Sequence, residues 1–190
     1  MESFLSSDIV IIGVGNIILS DDGVGVHAAR LLQVDPRVPA DITILDGGTM
    51  GPELASYASD ASHVLLLDAM NSGSAPGTLA RMSGSDLLAA KRGSSVHELA
   101  VADLVSALFL VAARTQEIVV LGVQPANTDW GATLSGEVEA ALAALVDAAV
   151  AQLHLWNDSR NLHLHAQPSA STPAPSPQRS LSATPEEGGF

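Results

Sequence analysis

The chain has 190 residues, a length for one domain with an appendage, since a domain of about 150 residues already buries about 70% of the surface its unfolded chain exposes. Eight Lys and Arg side chains against 21 Asp and Glu leave a formal charge of −13, a field that repels phosphate backbones and anionic headgroups and argues against nucleic acid or a membrane surface as partner. There is no cysteine, which excludes disulfides, thiolate metal sites and a cysteine nucleophile, and fits a cytoplasmic protein.

Met1 to Asp8 lacks the positive segment of a signal peptide, and the apolar run after it is broken by Gly13, Gly15 and Asn16, so no export signal is expected. That run, Ile9–Val14, is the first of four short stretches rich in Ile, Val and Leu; the others are Ile42–Leu45, Val64–Leu67 and Ile118–Val123. None alternates with polar residues, the pattern of strands covered on both faces. Between them, Val24–Leu32, Pro52–Tyr57 and Leu99–Ala112 carry helical spacing. A further strand is expected at Thr78–Met82, after the Pro76-Gly77 turn, at a sheet edge or in a hairpin. The last helix is expected to start near Ser135 as N-cap, with Glu137 and Glu139 where the helix dipole favours negative charge. Its apolar stretch, Val138 to Leu155, is interrupted by Glu139, Asp147, Gln152 and His154, which reads as an amphipathic helix and not a bilayer span.

Strand and helix in alternation predict an α/β fold, a three-layer α/β/α sandwich around a mostly parallel sheet of about five strands, in a single domain over residues 1–156. From 157 to 190 the composition turns to Pro, Ser, Ala, Thr and Gln, with five prolines between Pro168 and Pro185. Such a tail buries too little to offset its ordering and is expected to be disordered.

The first strand runs into Gly13-Val14-Gly15, which invites comparison with a dinucleotide-binding turn. The third glycine of that fingerprint falls on Ile18, and Asp21 and Asp22 stand where pyrophosphate would meet a helix N-terminus. Nucleotide binding is therefore disfavoured. In open parallel sheets ligands gather at the carboxyl ends of the strands. There lie Asp21 and Asp22, then Asp46-Gly47-Gly48-Thr49, then Asp68-Ala69, with Ser94-Ser95-Val96-His97-Glu98 ahead of the Leu99 helix.

Two carboxylates and an imidazole form an O/O/N donor set suited to nickel, zinc, iron or manganese more than to calcium or magnesium. Taken alone, Asp22 serves equally well as a cap for the Val24 helix, and a lone His97 is more often a helix-start or surface residue. Asp68, ending a very apolar strand, needs a partner if buried. Other hydrolase signatures fail: His97-Glu98 lacks a second histidine at Val101, and no nucleophile elbow occurs. His163 and His165 fall in the tail, and His27, His63 and His154 read as ordinary flanking residues.

As an ordered set, Gly13-x-Gly15-Asn16, Asp21-Asp22-Gly23-x-Gly25, Asp46-Gly47-Gly48-Thr49-x-Gly51, Leu67-Asp68-Ala69 with Pro76-Gly77, and His97-Glu98-Leu99 with Ala102-Asp103 resembles the nickel-iron hydrogenase maturation protease family. The likeness spans Ile9 to Leu155 and includes Gly122-Val123-Gln124-Pro125. It implies an endopeptidase whose partner is the hydrogenase large-subunit precursor, from which it removes a short C-terminal extension once nickel is inserted. By motif position, the nickel-recognising residues fall on Asp22, Asp68 and His97, the nickel being supplied by the substrate. Many members carry Glu at the position of Asp22, which implies a shorter reach here. Asp46 matches another family acid, and a general acid or base role is open to it. The same trio would equally serve a metallochaperone-like binder that cuts nothing. A nucleoside phosphorylase of similar architecture would need a basic phosphate pocket, and Lys91 is the only lysine.

Overall fold

The structure, a computed structural model, describes residues 7–90, 96–111, 115 and 117–165, with backbone alone at 90, 96–100 and 160–165. Five strands, β1 (Ile9–Val14), β2 (Thr43–Gly48), β3 (His63–Ala69), β4 (Leu79–Ser83) and β5 (Glu117–Val123), form one sheet in the order β2-β1-β3-β5-β4. All neighbours are parallel except β4, which runs antiparallel to β5 at the edge. Among the described residues four helices accompany them: α1 (Val24–Leu32), α2 (Gly84–Ala90), α3 (Val96–Val111) and α4 (Gly136–His165).

The apolar strands divide their side chains between two cores, as the period of two requires. Ile9, Ile11, Leu65, Leu67, Val119 and Leu121 face α1 and α4, meeting Val24, Leu32, Leu145 and Leu153. Val10, Ile12, Val14, Leu66 and Val120 face the other way, toward α3 and the 3₁₀ segment Gly51–Ala58, through Leu54, Leu104 and Leu108. Most of these side chains are fully buried, each contributing about 1.5–3 kcal/mol of transfer free energy. The sheet is thus sandwiched as the sequence predicts.

Four elements whose bounds differ from expectation bear on the site. β2 begins one residue later than expected and extends to Gly48, so Asp46 is a strand residue and not a loop residue, and β3 runs from His63 to Ala69, with Asp68 near its end as expected. α3 begins at Val96, which puts His97 inside its first turn. The Pro52–Tyr57 stretch forms a 3₁₀ segment entered from Gly51, whose φ is +63°.

Ser135 caps α4 as expected: its Oγ accepts the Val138 amide at 3.4 Å. Within α4, Gly136–Ser159 is long and apolar enough to cross a membrane by length and composition. Its Val138, Leu145, Ala149, Leu153 and Trp156 pack into the core instead, the behaviour of an amphipathic core helix. α4 continues past Asn157 to His165, so the backbone of His163 and His165 is helical. The disordered tail expected over 157–190 is thus corrected for its first nine residues, which continue the helix, and the remainder, 166–190, lies outside the described residues.

Candidate active site

The connection from β1 to β2 carries α1 over one face of the sheet, and that from β2 to β3 carries the 3₁₀ segment over the other. Their divergence opens a crevice at the carboxyl ends of β1 and β3, where α/β sheets bind ligands. Two glycines make the crevice tight. A Cβ on Gly15, whose φ is +121°, would collide with the Asp22 carbonyl, and a Cβ on Gly25 would collide with the Leu67 carbonyl, so α1 sits directly against β3.

In this crevice lies a pocket of about 100 Å³ lined by Val14, Gly15, Asp22, Gly48, Thr49, Gly51, Val101 and Leu104. Asp22 is 6% exposed, in the 3₁₀ turn Ser20–Gly23, and its Oδ2 accepts the Asn16 amide at 2.8 Å. Asp68 is 3% exposed and stands between Leu66 and Met70, both members of the α3-side core. Strand alternation therefore gives Asp68 the same face as the pocket. Two of the three sequence-predicted ligands are buried acids, one in the turn that follows β1 and one near the end of β3. The third, His97, has its side chain outside the described residues; its backbone lies one helical turn ahead of Val101, a pocket residue. Among the described residues, which do not include the His97 imidazole, no group of three or more His, Cys, Asp or Glu is placed to hold a metal ion.

Asp46 is placed beside the pocket and is not among its lining residues. A register shift between Gly13 and Val14 pairs Gly13 with Asp46 and Val14 with Gly48, leaving Gly47 as a bulge. Asp46 precedes the bulge and is in step with Ile42 and Ile44, which pack against the α1-side core. Asp46 turns toward α1, where its Oδ2 accepts Arg30 Nε at 2.9 Å and Nη2 at 2.8 Å. A Cβ built on Gly48 would lie 3.9 Å from Asp46 Oδ1, so the free side of the carboxylate adjoins a pocket residue.

Two contributors escape sequence reading. Asp21, fully buried, accepts the amides of Ala126, Asn127 and Ser135 and the Ser135 hydroxyl. Burial raises its pKa, but the hydrogen bonds from Ser135, Asn127 and Ala126 outweigh that and hold it below the ordinary carboxylate value. Gln124, buried after β5, uses Oε1 to accept the Ser72 amide at 2.8 Å and the Ser74 amide at 3.3 Å, and donates Nε2 to Asn71 Oδ1 at 3.3 Å. It thereby fixes the loop that follows Asp68. Nothing local in the sequence signals either role, because the partners are about 50 to 114 positions away. His63 is structural: its ring lies 5.0 Å from that of Trp156 and its Nδ1 is 2.8 Å from Ser62 Oγ.

A model of the hydrogenase maturation protease family matches residues 26–152, a stretch that contains Asp46, Asp68 and His97 and starts after Asp22. The hydrogenase expression/formation protein HupD of Bradyrhizobium diazoefficiens is 32% identical over 151 residues, covering 78% of this chain and 79% of that protein. Hydrogenase 2 maturation protease of Escherichia coli is 32% identical over 147 residues, covering 76% and 90%. Among solved structures, the hydrogenase maturating endopeptidase HybD from E. coli matches with a TM-score of 0.70 and 32% identity over 77% of this chain and 91% of its own. HybD from Thermococcus kodakarensis matches with a TM-score of 0.61 and 27% identity over 74% and 95%.

Proposed function

Because the chain belongs to the hydrogenase maturation protease family, we propose that it is the endopeptidase that removes the C-terminal extension of a nickel-loaded hydrogenase large-subunit precursor, reading the substrate's nickel with Asp22, Asp68 and His97. One observation carries the metal part of this reading: Asp22 and Asp68 are both buried, Asp22 lining the pocket from the turn after β1 and Asp68 near the end of β3 on the face toward α3. Two buried carboxylates attract a divalent cation strongly, since burial weakens solvent screening. A precursor without nickel offers no such charge, so loading and recognition become one event.

The pocket, at about 100 Å³, is well below the roughly 300–1,000 Å³ of small-molecule sites. It suits a metal ion with a few ligand atoms and not a length of peptide, which must cross the outer rim. Substrate nickel held there can polarise the scissile carbonyl or activate a water. Zinc, iron or manganese would compete for the same donors. Asp46 is the group we assign to proton transfer, and its Arg30 partner must first let go. The absence of cysteine supports a cytoplasmic site of action.

Incubation with nickel-loaded and nickel-free precursor, followed by intact-mass measurement, tests the reading. Loss of the extension from the loaded form alone is expected. Stable binding of loaded precursor with no mass loss would overturn it in favour of a binding protein.

A further inference from the structure

The chain has two tryptophans, and they are placed in opposite ways. Trp156 is 3% exposed on α4 and donates its indole N–H to Glu117 Oε2 at 2.8 Å, whereas Trp130 is 81% exposed. An indole left in water contributes no burial to folding, so Trp130 calls for another explanation. Its loop is tied down on both sides. Asp21 grips the backbone at Ala126, Asn127 and Ser135, and Ser20 Oγ donates to the Asp129 carbonyl at 3.1 Å.

A short backbone ladder joins this loop to the one after β1. The Gly131 amide donates to the Ile18 carbonyl at 3.0 Å, and the Ser20 amide donates to the Gly131 carbonyl at 2.8 Å. Ile17 and Ile18, both exposed, therefore lie on the stretch next to Trp130. The first of them also adjoins the pocket: a Cβ added to Gly23 would lie 2.8 Å from Ile17 Cα, and Asn16, one residue earlier, is bonded to Asp22. An apolar surface of three large side chains thus abuts the acid at the pocket, on loops already ordered.

We infer that Trp130, Ile18 and Ile17 are the docking surface for the body of the precursor protein, holding it while its metal-bearing segment enters beside Asp22; this rests on the endopeptidase reading above. The pocket is too small to supply the whole of the binding, so contact must spread outward, and Ile17 lies next to the pocket residue Asp22 through Asn16 and Gly23. Pre-ordered loops lose little freedom on binding, and tryptophan is enriched among the residues that dominate interfaces. Asp129, exposed beside Trp130, and the charge of −13 select a partner surface whose apolar side chains are ringed by Lys or Arg. The same charge opposes a second copy of this chain as occupant.

Steady-state cleavage of nickel-loaded precursor tests the surface, with Trp130→Ala and Ile18→Ser beside the wild type and Leu155→Ala as an equally apolar exposed control on α4. Trp130→Ala is expected to raise KM about 30-fold and Ile18→Ser about 5-fold, with the loss in KM and not in kcat, and with wild-type melting temperatures. A wild-type KM for both variants overturns the proposal, as does an equal rise in Leu155→Ala. A change of sedimenting mass in Trp130→Ala also overturns it, by making the patch a self-contact. If the wild type itself cleaves nothing, the endopeptidase reading fails separately. Calorimetric binding of the precursor to wild type and Trp130→Ala then decides the docking surface by itself: about 30-fold weaker binding supports it, and equal affinity overturns it.

Discussion

Asp21 and Asp22 are adjacent and both buried, yet their carboxylates serve different parts of the molecule. Asp21 receives four hydrogen bonds from the segment between Ala126 and Ser135, and Asp22 receives the Asn16 amide while lining the pocket. The 3₁₀ turn that holds them, Ser20–Gly23, separates neighbours by about 120° around its axis and so divides the pair.

Asp21→Asn should therefore cost stability before it costs chemistry. The amide retains one acceptor oxygen and turns donors toward donors, leaving buried N–H groups unsatisfied at a cost of about 2–4 kcal/mol. Because the folded pKa of Asp21 is depressed, its stabilisation is present above the unfolded value, about 3.9, and is lost as pH falls through the lower folded value. Thermal melts across pH 2–7 should show a lower melting temperature for the variant near neutrality and a gap that narrows below about pH 4. A constant gap down to pH 2 would remove Asp21 as the source of the acid sensitivity.

Asp22→Asn should behave in the opposite way. Asparagine still accepts the Asn16 amide, so the fold should persist with a melting temperature within a few degrees of wild type. Loss of the negative charge should lower cleavage of loaded precursor by about 100-fold or more, since even outer partners of metal ligands are worth 10–100-fold. Normal processing by Asp22→Asn would return the residue to a purely structural part in its turn.

The sequence discloses the sheet because its strands are buried on both faces and read as unbroken apolar runs: Ile9–Val14 and Val24–Leu32 are found with the predicted ends. It discloses the acids at one rim because parallel strands deliver their carboxyl ends to one side. What it hides depends on direction. Asp46 looks equivalent to Asp22 as a strand-end acid, yet strand alternation in step with Ile42 and Ile44 points it toward α1, where Arg30 holds it. Asp21 and Gln124 take their roles from partners far along the chain, which no local pattern encodes.

Removal of residues 166–190 should leave folding and processing unchanged, because that Pro- and Ser-rich stretch offers no motif position and almost no apolar side chain. The cut belongs after His165 and not after Trp156, where the sequence places the end of the domain, since α4 continues to His165. Melting temperature and precursor cleavage of the shortened chain check this. A fall of several degrees, or slower processing, would give the tail a packing or docking role.

Metal affinity checks the trio separately from cleavage. Three protein ligands leave coordination positions open for substrate atoms, so the purified protein should hold little metal after dialysis against chelator and should bind added nickel weakly. His97→Ala removes the nitrogen donor, and nickel affinity measured by calorimetry should drop together with binding of loaded precursor. Stoichiometric metal that survives chelator would mean a self-contained metalloenzyme and overturn the substrate-supplied picture.

The Arg30–Asp46 pair separates proton transfer from architecture. Both side chains are substantially exposed, so the ion pair contributes less than about 1 kcal/mol to stability and neither Arg30→Ala nor Asp46→Asn should unfold the chain. If Asp46 moves protons, Asp46→Asn should lower cleavage about 10²–10⁴-fold while metal-dependent binding of the precursor survives. Arg30→Ala should keep or raise the rate, because it frees the carboxylate that adjoins Gly48 and the pocket. If the pair merely braces the end of β2 against α1, the two single variants should lose activity equally and the double variant no more than either. Cleavage rates for the two single variants and the double, read beside a pull-down of loaded precursor, distinguish the cases. An Asp46→Asn that no longer binds precursor would instead put Asp46 in recognition, with the acid or base to be sought elsewhere.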